Sequence, residues 1–178
     1  MLLAMLTSTM ARSIVKPLNS ITIGIKYMIH IEATGGLKKD RELAEEVMWF
    51  CFDTLMPRQK TLMIDLELTK CAEEGAMGFA YMGEDEKEFT IEVDKRLSRT
   101  HDRDKFIETV CHEMVHVWQM ATKKMKDSFK GGYKQFWKCN DGKYRNYTKA
   151  PYERKPWETQ AYAMEGLLME LFKEVEDV

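Results

Sequence analysis

The pentapeptide His-Glu-Met-Val-His at residues 112–116 constrains this chain more than any other feature of its sequence. Histidines four positions apart lie on one face of an α-helix, so the imidazoles of His112 and His116 can both reach one metal ion. Glu113 lies beside that line, where it can hydrogen-bond a metal-bound water without being a ligand. Zinc lowers the pKa of such a water toward ~7, and a nearby carboxylate can then take its proton. The pattern predicts one Zn²⁺ per chain, with Glu113 as general base.

The apolar residues of the same segment support a helix there, from about residue 102 to 124. At about 100° per residue, His112 and His116 fall within roughly 40° of each other. Met114 and Trp118 belong to an apolar stripe on the opposite side, between roughly 160° and 240°. We therefore expect Met114 and Trp118 to enter the core and both histidines to face a cleft.

A catalytic zinc usually takes a third protein ligand and leaves one position open. The extended pattern HExxHxxGxxH needs glycine at 119 and histidine at 122, but this chain has Gln119 and Thr122. A carboxylate on a later helix is the remaining common solution. Glu158, in the first turn of the last predicted helix, is the preferred third ligand. Glu165, seven residues further on, and Glu153, in the preceding loop, are the alternatives.

The spacing of apolar residues predicts an α+β fold. The predicted strands cover 61–69, 75–82 and 88–93, and the predicted helices cover about 40–56, 102–124 and 156–176, with Asp40 capping the first and Pro156 opening the last. Residues 21–31 fit either a strand or a buried helical turn, and Asp141-Gly142 indicates a β-hairpin. We expect a small mixed or antiparallel sheet packed on the helix that carries the histidines, and a C-terminal helix that carries the third ligand.

Two segments of the chain resemble the zincin metallopeptidases, namely TVCHEMVHVWQ (109–119) and PWETQAYA (156–163). Among zincins the chain is similar to the compact gluzincin-type and SprT-like proteins, many of them from phages or bacteria. The resemblance covers about residues 40–175 and implies zinc-dependent hydrolysis of peptide bonds in a protein or peptide. It also implies a twisted sheet whose edge strand, about Glu88 to Val93, aligns an extended substrate through main-chain hydrogen bonds.

Peptide hydrolysis passes through a tetrahedral oxyanion, which zinc and a hydrogen-bond donor share. Tyr162, one helical turn past Glu158, is the preferred donor. Tyr152, Tyr147 and His101 are alternatives by residue type.

Residues 121–155 form a basic hairpin insertion in the domain predicted over 39–178, which follows an N-terminal segment, 1–38, of uncertain structure. The insertion has eleven lysines and arginines against three acidic residues, in a chain of net charge −2. Three interpretations stay open: a surface that binds nucleic acid with interleaved aromatic residues, a solvated loop whose aromatic residues pack on the sheet, or a selector of acidic substrates. The alternative function is therefore a zinc-containing module that binds nucleic acid or protein without turnover, or a protease acting on DNA-associated proteins. A hydrolase of non-peptide amides is a third.

The composition predicts a protein of the cytoplasm, in a bacterium or a phage-infected host cell. The apolar stretches fall short of the ~20 residues that a membrane-spanning helix needs, so no membrane partner is expected. MLLAML at the N-terminus lacks the basic leader of a signal peptide. None of the four cysteines forms a CxxC pair, and we expect them to be reduced thiols that mainly pack in the core.

Overall fold

A computed structural model describes residues 28–70, 77–99 and 102–176. Seven strands lie in these residues: β1 (Met28–Gly35), β2 (Thr61–Thr69), β3 (Gly78–Met82), β4 (Glu88–Asp94), β5 (Met125–Ser128), β6 (Lys134–Lys138) and β7 (Tyr144–Asn146). The α-helices are α1 (Lys38–Leu55), α2 (Arg103–Ala121) and α3 (Pro156–Glu176), and two short 3₁₀ helices cover Leu97–Arg99 and Tyr152–Arg154. The predicted α+β fold is confirmed.

The first four strands form a mixed sheet in the order β1-β2-β4-β3. β1 pairs with β2, and β2 with β4, in parallel, whereas β3 runs antiparallel to β4. The expectation that residues 88–93 form the edge strand is wrong, because β3 folds back along β4 and takes the edge itself. Of the strand predicted over 75–82, residues 75 and 76 lie outside the described residues, as do residues 21–27 of the segment 21–31; residues 28–31 belong to β1.

One face of this sheet forms the main hydrophobic core. The alternation read in the sequence is confirmed, since the inward-facing residues of β2 and β4 are all buried: Leu62, Ile64, Leu66, Leu68, Phe89, Ile91 and Val93. α1 and α2 cover this face with their own buried apolar residues, among them Val47, Met48 and Val115. Burying each large aliphatic side chain contributes about 1.5–3 kcal/mol to the stability of the fold. This layer therefore holds α2 firmly in place.

The start of α1 differs from the prediction. The helix begins at Lys38, and the residue that precedes it, Leu37, makes no side-chain capping bond. Asp40 therefore lies within the first turn instead of capping it, and its carboxylate accepts a hydrogen bond of 2.7 Å from the Ser98 hydroxyl. The helix starts early because Gly35 and Gly36, both with positive φ, turn the chain directly into it.

α2 begins where the sequence predicts but ends earlier. The Asp102 side chain accepts a hydrogen bond from the Lys105 amide and caps the helix. At the other end Lys123 adopts a left-handed conformation with φ of 57°. The Lys123 amide donates to the carbonyl of Met120, and the Lys124 amide to that of Gln119, which is the Schellman arrangement. The helix therefore stops at Ala121, and the predicted end at 124 is wrong.

Burial around α2 also differs from the prediction. The sheet, α1 and α3 all pack on this helix, so the histidine face is buried along with the apolar face. Met114 is fully buried, as expected. Trp118 is only half-buried; it lies at the rim of the core, with Lys124 Nζ 5.0 Å from its ring centroid.

β5, β6 and β7 form a second, antiparallel sheet within the basic insertion. The predicted hairpin is confirmed, since β6 and β7 pair across a turn in which Gly142 has a φ of 76°. Trp137 of β6 lies 6.4 Å from the ring of Trp157, which is at the start of α3 as the Pro156 prediction requires. The second sheet thus packs on the beginning of the helix that carries Glu158.

Three cysteines fall within the described residues, and all three are free thiols. Cys51 of α1 and Cys111 of α2 are fully buried with their sulfurs 3.7 Å apart, which agrees with the predicted core role. Cys139 is half-buried, and Cys71 lies outside the described residues. No helix in the described part of the chain has both the length and the apolar composition needed to cross a membrane.

Candidate metal centre and active site

Three predicted metal ligands converge between α2 and α3. The Nε2 atoms of His112 and His116 lie 3.1 Å apart, and Glu158 Oε2 lies 3.5 Å from each of them. All three residues are buried. Pro156 opens α3 so that Glu158 falls in its first turn, and the fully buried Ala161 lets α3 lie close against α2.

The spacing of these three atoms fits a zinc ion. A tetrahedral zinc with bonds of about 2.0–2.1 Å places its ligand atoms roughly 3.3 Å apart. The three separations bracket that value, and two imidazoles with one carboxylate are a donor set found in catalytic zinc sites. The group can therefore hold a metal ion.

Glu165 lies on the far side of the His112 ring. Its Oε2 is 2.5 Å from His112 Nδ1, so it accepts a hydrogen bond from that nitrogen and directs Nε2 toward Glu158. Burial lowers the pKa of His112, but Glu158, Glu113 and Glu165 outweigh this and leave the pKa above its usual value. Glu165, an alternative third ligand in the sequence, is thus outside the group of three and serves as a partner of one member.

Gln119 holds the second histidine, and sequence reasoning missed this role. Its Oε1 accepts a hydrogen bond of 2.9 Å from His116 Nδ1, which leaves Nε2 directed at the site. Its amide nitrogen donates to the carbonyl of Trp157 at 3.0 Å, across the gap from α2 to α3. Gln119 is fully buried. The signal available in the sequence was Gln119 itself, a polar residue three positions after the second histidine.

The Glu158 carboxylate accepts a hydrogen bond from the 3₁₀ helix that precedes α3. The Tyr152 hydroxyl donates to Glu158 Oε2 at 2.8 Å. Burial raises the pKa of Glu158, but hydrogen bonds from His112 and His116 outweigh it, so the pKa lies well below its usual range. Burial, together with Glu158, also raises the pKa of Tyr152.

The side chain of Glu113, on α2, packs against the first residue of β3, Gly78. A Cβ atom placed on Gly78 would be 2.8 Å from Glu113 Oε1, so any larger residue there would push the carboxylate out of this position. Burial raises the pKa of the Glu113 carboxyl to about 7, against the opposing effect of His116 and His112. The arrangement places a buried carboxyl group next to an edge strand and next to the histidine pair.

The remaining candidates lie at different distances from this centre. The Tyr162 ring is exposed and packs 4.9 Å from the ring of His112. Tyr147 packs edge-on against Trp157, and Glu153 is exposed in the 3₁₀ helix. His101 lies outside the described residues.

The chain matches one known family. A model of the SprT-like family matches residues 41–140, more than half of the 178 residues. The match includes His112, Glu113 and His116 and ends before α3, so it leaves out Glu158. No curated protein and no solved structure matches the chain.

Proposed function

Because this chain belongs to the SprT-like family, we propose that it is a zinc-dependent metallopeptidase that hydrolyses peptide bonds in a protein or peptide substrate. One observation carries the proposal: His112, His116 and Glu158 bring three ligand atoms together in a buried site beside Glu113. A purely structural zinc site is closed by four protein ligands, whereas three leave a position for reaction.

The roles of the residues follow from their positions. His112, His116 and Glu158 would hold the ion, with Glu165 and Gln119 fixing the imidazoles. Zinc bound there supplies Lewis acidity, which polarises a carbonyl and lowers the pKa of water toward ~7.

Glu113 is the general base of the proposed reaction. Its carboxylate takes the proton of the attacking water and then gives it to the leaving amine. Because Glu113 is held in a buried position against Gly78, it meets the substrate with little competition from bulk water. Tyr162, whose exposed ring lies 4.9 Å from that of His112, is the proposed donor to the oxyanion.

β3 (Gly78–Met82) is the strand that we propose aligns the substrate. It has β4 on one side only, so within the described residues its other edge is free to pair with an extended peptide. Its first residue touches Glu113, so a peptide paired along β3 would pass the general base.

The proposal is tested first by metal content. Protein purified without added metal or chelator should contain about one zinc per chain by mass spectrometry, and Glu158→Ala should lower that content. The control is Glu153→Ala, because Glu153 is exposed outside the site. Protein that stays free of zinc even on titration would contradict the metal site.

We propose nucleic-acid binding by the second sheet as a second function, with or without peptide hydrolysis. The supporting observation is that aromatic and basic side chains lie together at the surface. The exposed rings of Phe129 and Tyr133 are 5.4 Å apart, and each is followed in the chain by a lysine, the exposed Lys130 and the half-buried Lys134. Such surfaces hold phosphates and stack bases. Lys130→Glu with Lys134→Glu should weaken binding of a single-stranded oligonucleotide in a fluorescence anisotropy titration. Lys38→Glu, on α1, should not, and equal affinities would contradict this proposal.

We also propose that the protein resides in the cytoplasm. The free thiols of Cys51 and Cys111, 3.7 Å apart, suit a reducing compartment.

A further inference from the structure

We propose that the second sheet sets the metal affinity of the site through Tyr152, which acts as the positioning residue of Glu158. The inference rests on the metal centre of the proposed function but is independent of peptide hydrolysis. It assigns a role to the 3₁₀ helix Tyr152–Arg154, which lies between β7 and α3.

The first step is the contact between Tyr152 and Glu158. The tyrosine hydroxyl donates at 2.8 Å to Oε2, and this is the oxygen that lies 3.5 Å from both histidine Nε2 atoms. A carboxylate can present either oxygen, and it rotates unless a partner fixes it. Loss of a group that hydrogen-bonds a metal ligand typically lowers metal affinity by about 10–100-fold.

The second step is how Tyr152 itself is held. Half of its side chain is exposed, so core packing does not fix it. Lys155 places its ammonium 5.9 Å from the Tyr152 ring centroid and 5.4 Å from that of Trp157, and donates to Gln135 Oε1 at 2.9 Å. Gln135 belongs to β6, so Lys155 ties the tyrosine to the second sheet.

The three ligands therefore depend on different parts of the fold. Gln119 and Glu165, the partners of the histidines, come from α2 and α3. The partner of Glu158 is held by the second sheet. Because the second sheet holds the partner of the carboxylate ligand, it is a place from which metal affinity can be changed.

The test is the zinc dissociation constant, measured by competition with a chelating dye. Tyr152→Phe removes only the hydroxyl and should weaken zinc binding by about 10–100-fold. Tyr144→Phe is the matched control, because the Tyr144 hydroxyl also makes a hydrogen bond, to the Lys123 carbonyl, but away from the site. It should bind zinc as the unmodified protein does.

Lys155 provides the second pair of variants. Lys155→Met removes the cation and its bond to Gln135, and should weaken zinc binding in the same direction but less than Tyr152→Phe. Lys155→Arg keeps a cation over the rings and should restore affinity. The visible absorption of the cobalt-substituted protein should shift in Tyr152→Phe, since the carboxylate ligand is displaced.

The outcomes separate the two proposals. Unchanged zinc affinity and cobalt spectrum in Tyr152→Phe, in a protein that binds zinc, would overturn the inference and leave the proposed function standing. An unmodified protein that binds no zinc would overturn both. Loss of peptidase activity in Glu113→Gln has no bearing on the inference, because the readout is metal affinity.

Discussion

The two sheets of this protein are stabilised by different chemistry. The first sheet, with α1 and α2, encloses an aliphatic core in which Ile64, Leu66 and Ile91 are fully buried. The second sheet packs on α3 through aromatic rings and a lysine side chain: the Trp137 ring lies 6.4 Å from that of Trp157, and Lys155 Nζ lies 5.4 Å from the Trp157 centroid. Two metal-ligand candidates belong to the first region and the third lies beside the second. The aliphatic layer therefore fixes the two histidines, while a more polar and more exposed layer positions the carboxylate.

The largest effect expected in the first region is chemical. Glu113→Gln keeps the shape of the side chain but removes the base, so kcat for peptide hydrolysis should fall by about 10²–10⁴-fold. Zinc content should be unchanged, because Glu113 is not among the three ligand candidates. Asp104→Asn is the control on the same helix, since Asp104 is exposed and pairs with Lys173. Full activity in Glu113→Gln would remove Glu113 from the mechanism.

Truncating the aliphatic core should have the largest effect on stability. Leu66→Ala deletes a fully buried side chain and should lower the free energy of unfolding by about 2–5 kcal/mol in a urea titration. The truncation is within the first region, so the whole protein should unfold at lower urea in one transition. Separate transitions for the two sheets would contradict this expectation. They would show that the packing of α2 against α3 does not make the two sheets unfold together.

The junction between β3 and Glu113 is tested by Gly78→Ala. The new methyl group would lie 2.8 Å from Glu113 Oε1, and the flexible carboxylate would move aside at little cost in stability. Because displacement of a catalytic group by about 1 Å costs roughly 10²-fold, kcat should fall by that order while zinc content and Tm are retained. Gly166→Ala is the control, since a Cβ there meets no atom within 4 Å.

The smallest effect is expected where α2 leads into the second sheet. Lys123 has a φ of 57°, a conformation that glycine adopts without strain, so Lys123→Gly should raise Tm by about 2–4 °C in calorimetry. The ion pair with Glu86 is exposed, and its loss should matter little. Lys123→Ala, which loses the ion pair but keeps the Cβ, should show no rise. A rise in both variants would contradict the conformational explanation.

The sequence predicts local features of this fold well and long-range ones poorly. The alternation in 61–69 and 88–93 identifies β2 and β4, and the Asp141-Gly142 pair identifies the second hairpin, because each signal is local. Which strand takes the edge depends on how β3 folds back along β4, and local periodicity does not encode that. The resemblance to the zincins implies the edge position for residues 88–93, and that expectation is wrong because β3 occupies the edge beside β4.

The candidate site shows the same division. The spacing of His112 and His116 lies within one helix, so sequence alone predicts that they converge. Gln119 lies only three residues from His116, but the contacts with α3 come from far along the chain: Glu165 is 53 residues from His112, and the Trp157 carbonyl is 38 residues from Gln119. These contacts depend on how α3 docks, and nothing in the local sequence distinguishes Glu165 as a hydrogen-bond partner from Glu165 as a ligand.

The neighbouring thiols of Cys51, on α1, and Cys111, on α2, can report how fast the core opens. The hydrogen bond with Cys111, and then burial, raise the pKa of the Cys51 thiol, and it is the thiolate that reacts with alkylating reagents. While α1 stays on α2, both sulfurs are shielded, whereas half-buried Cys139 is open to early labelling. The rate at which Cys51 and Cys111 are alkylated therefore measures how fast α1 and α2 separate. Mass spectrometry of the labelled peptides can follow this rate without any substitution in the protein.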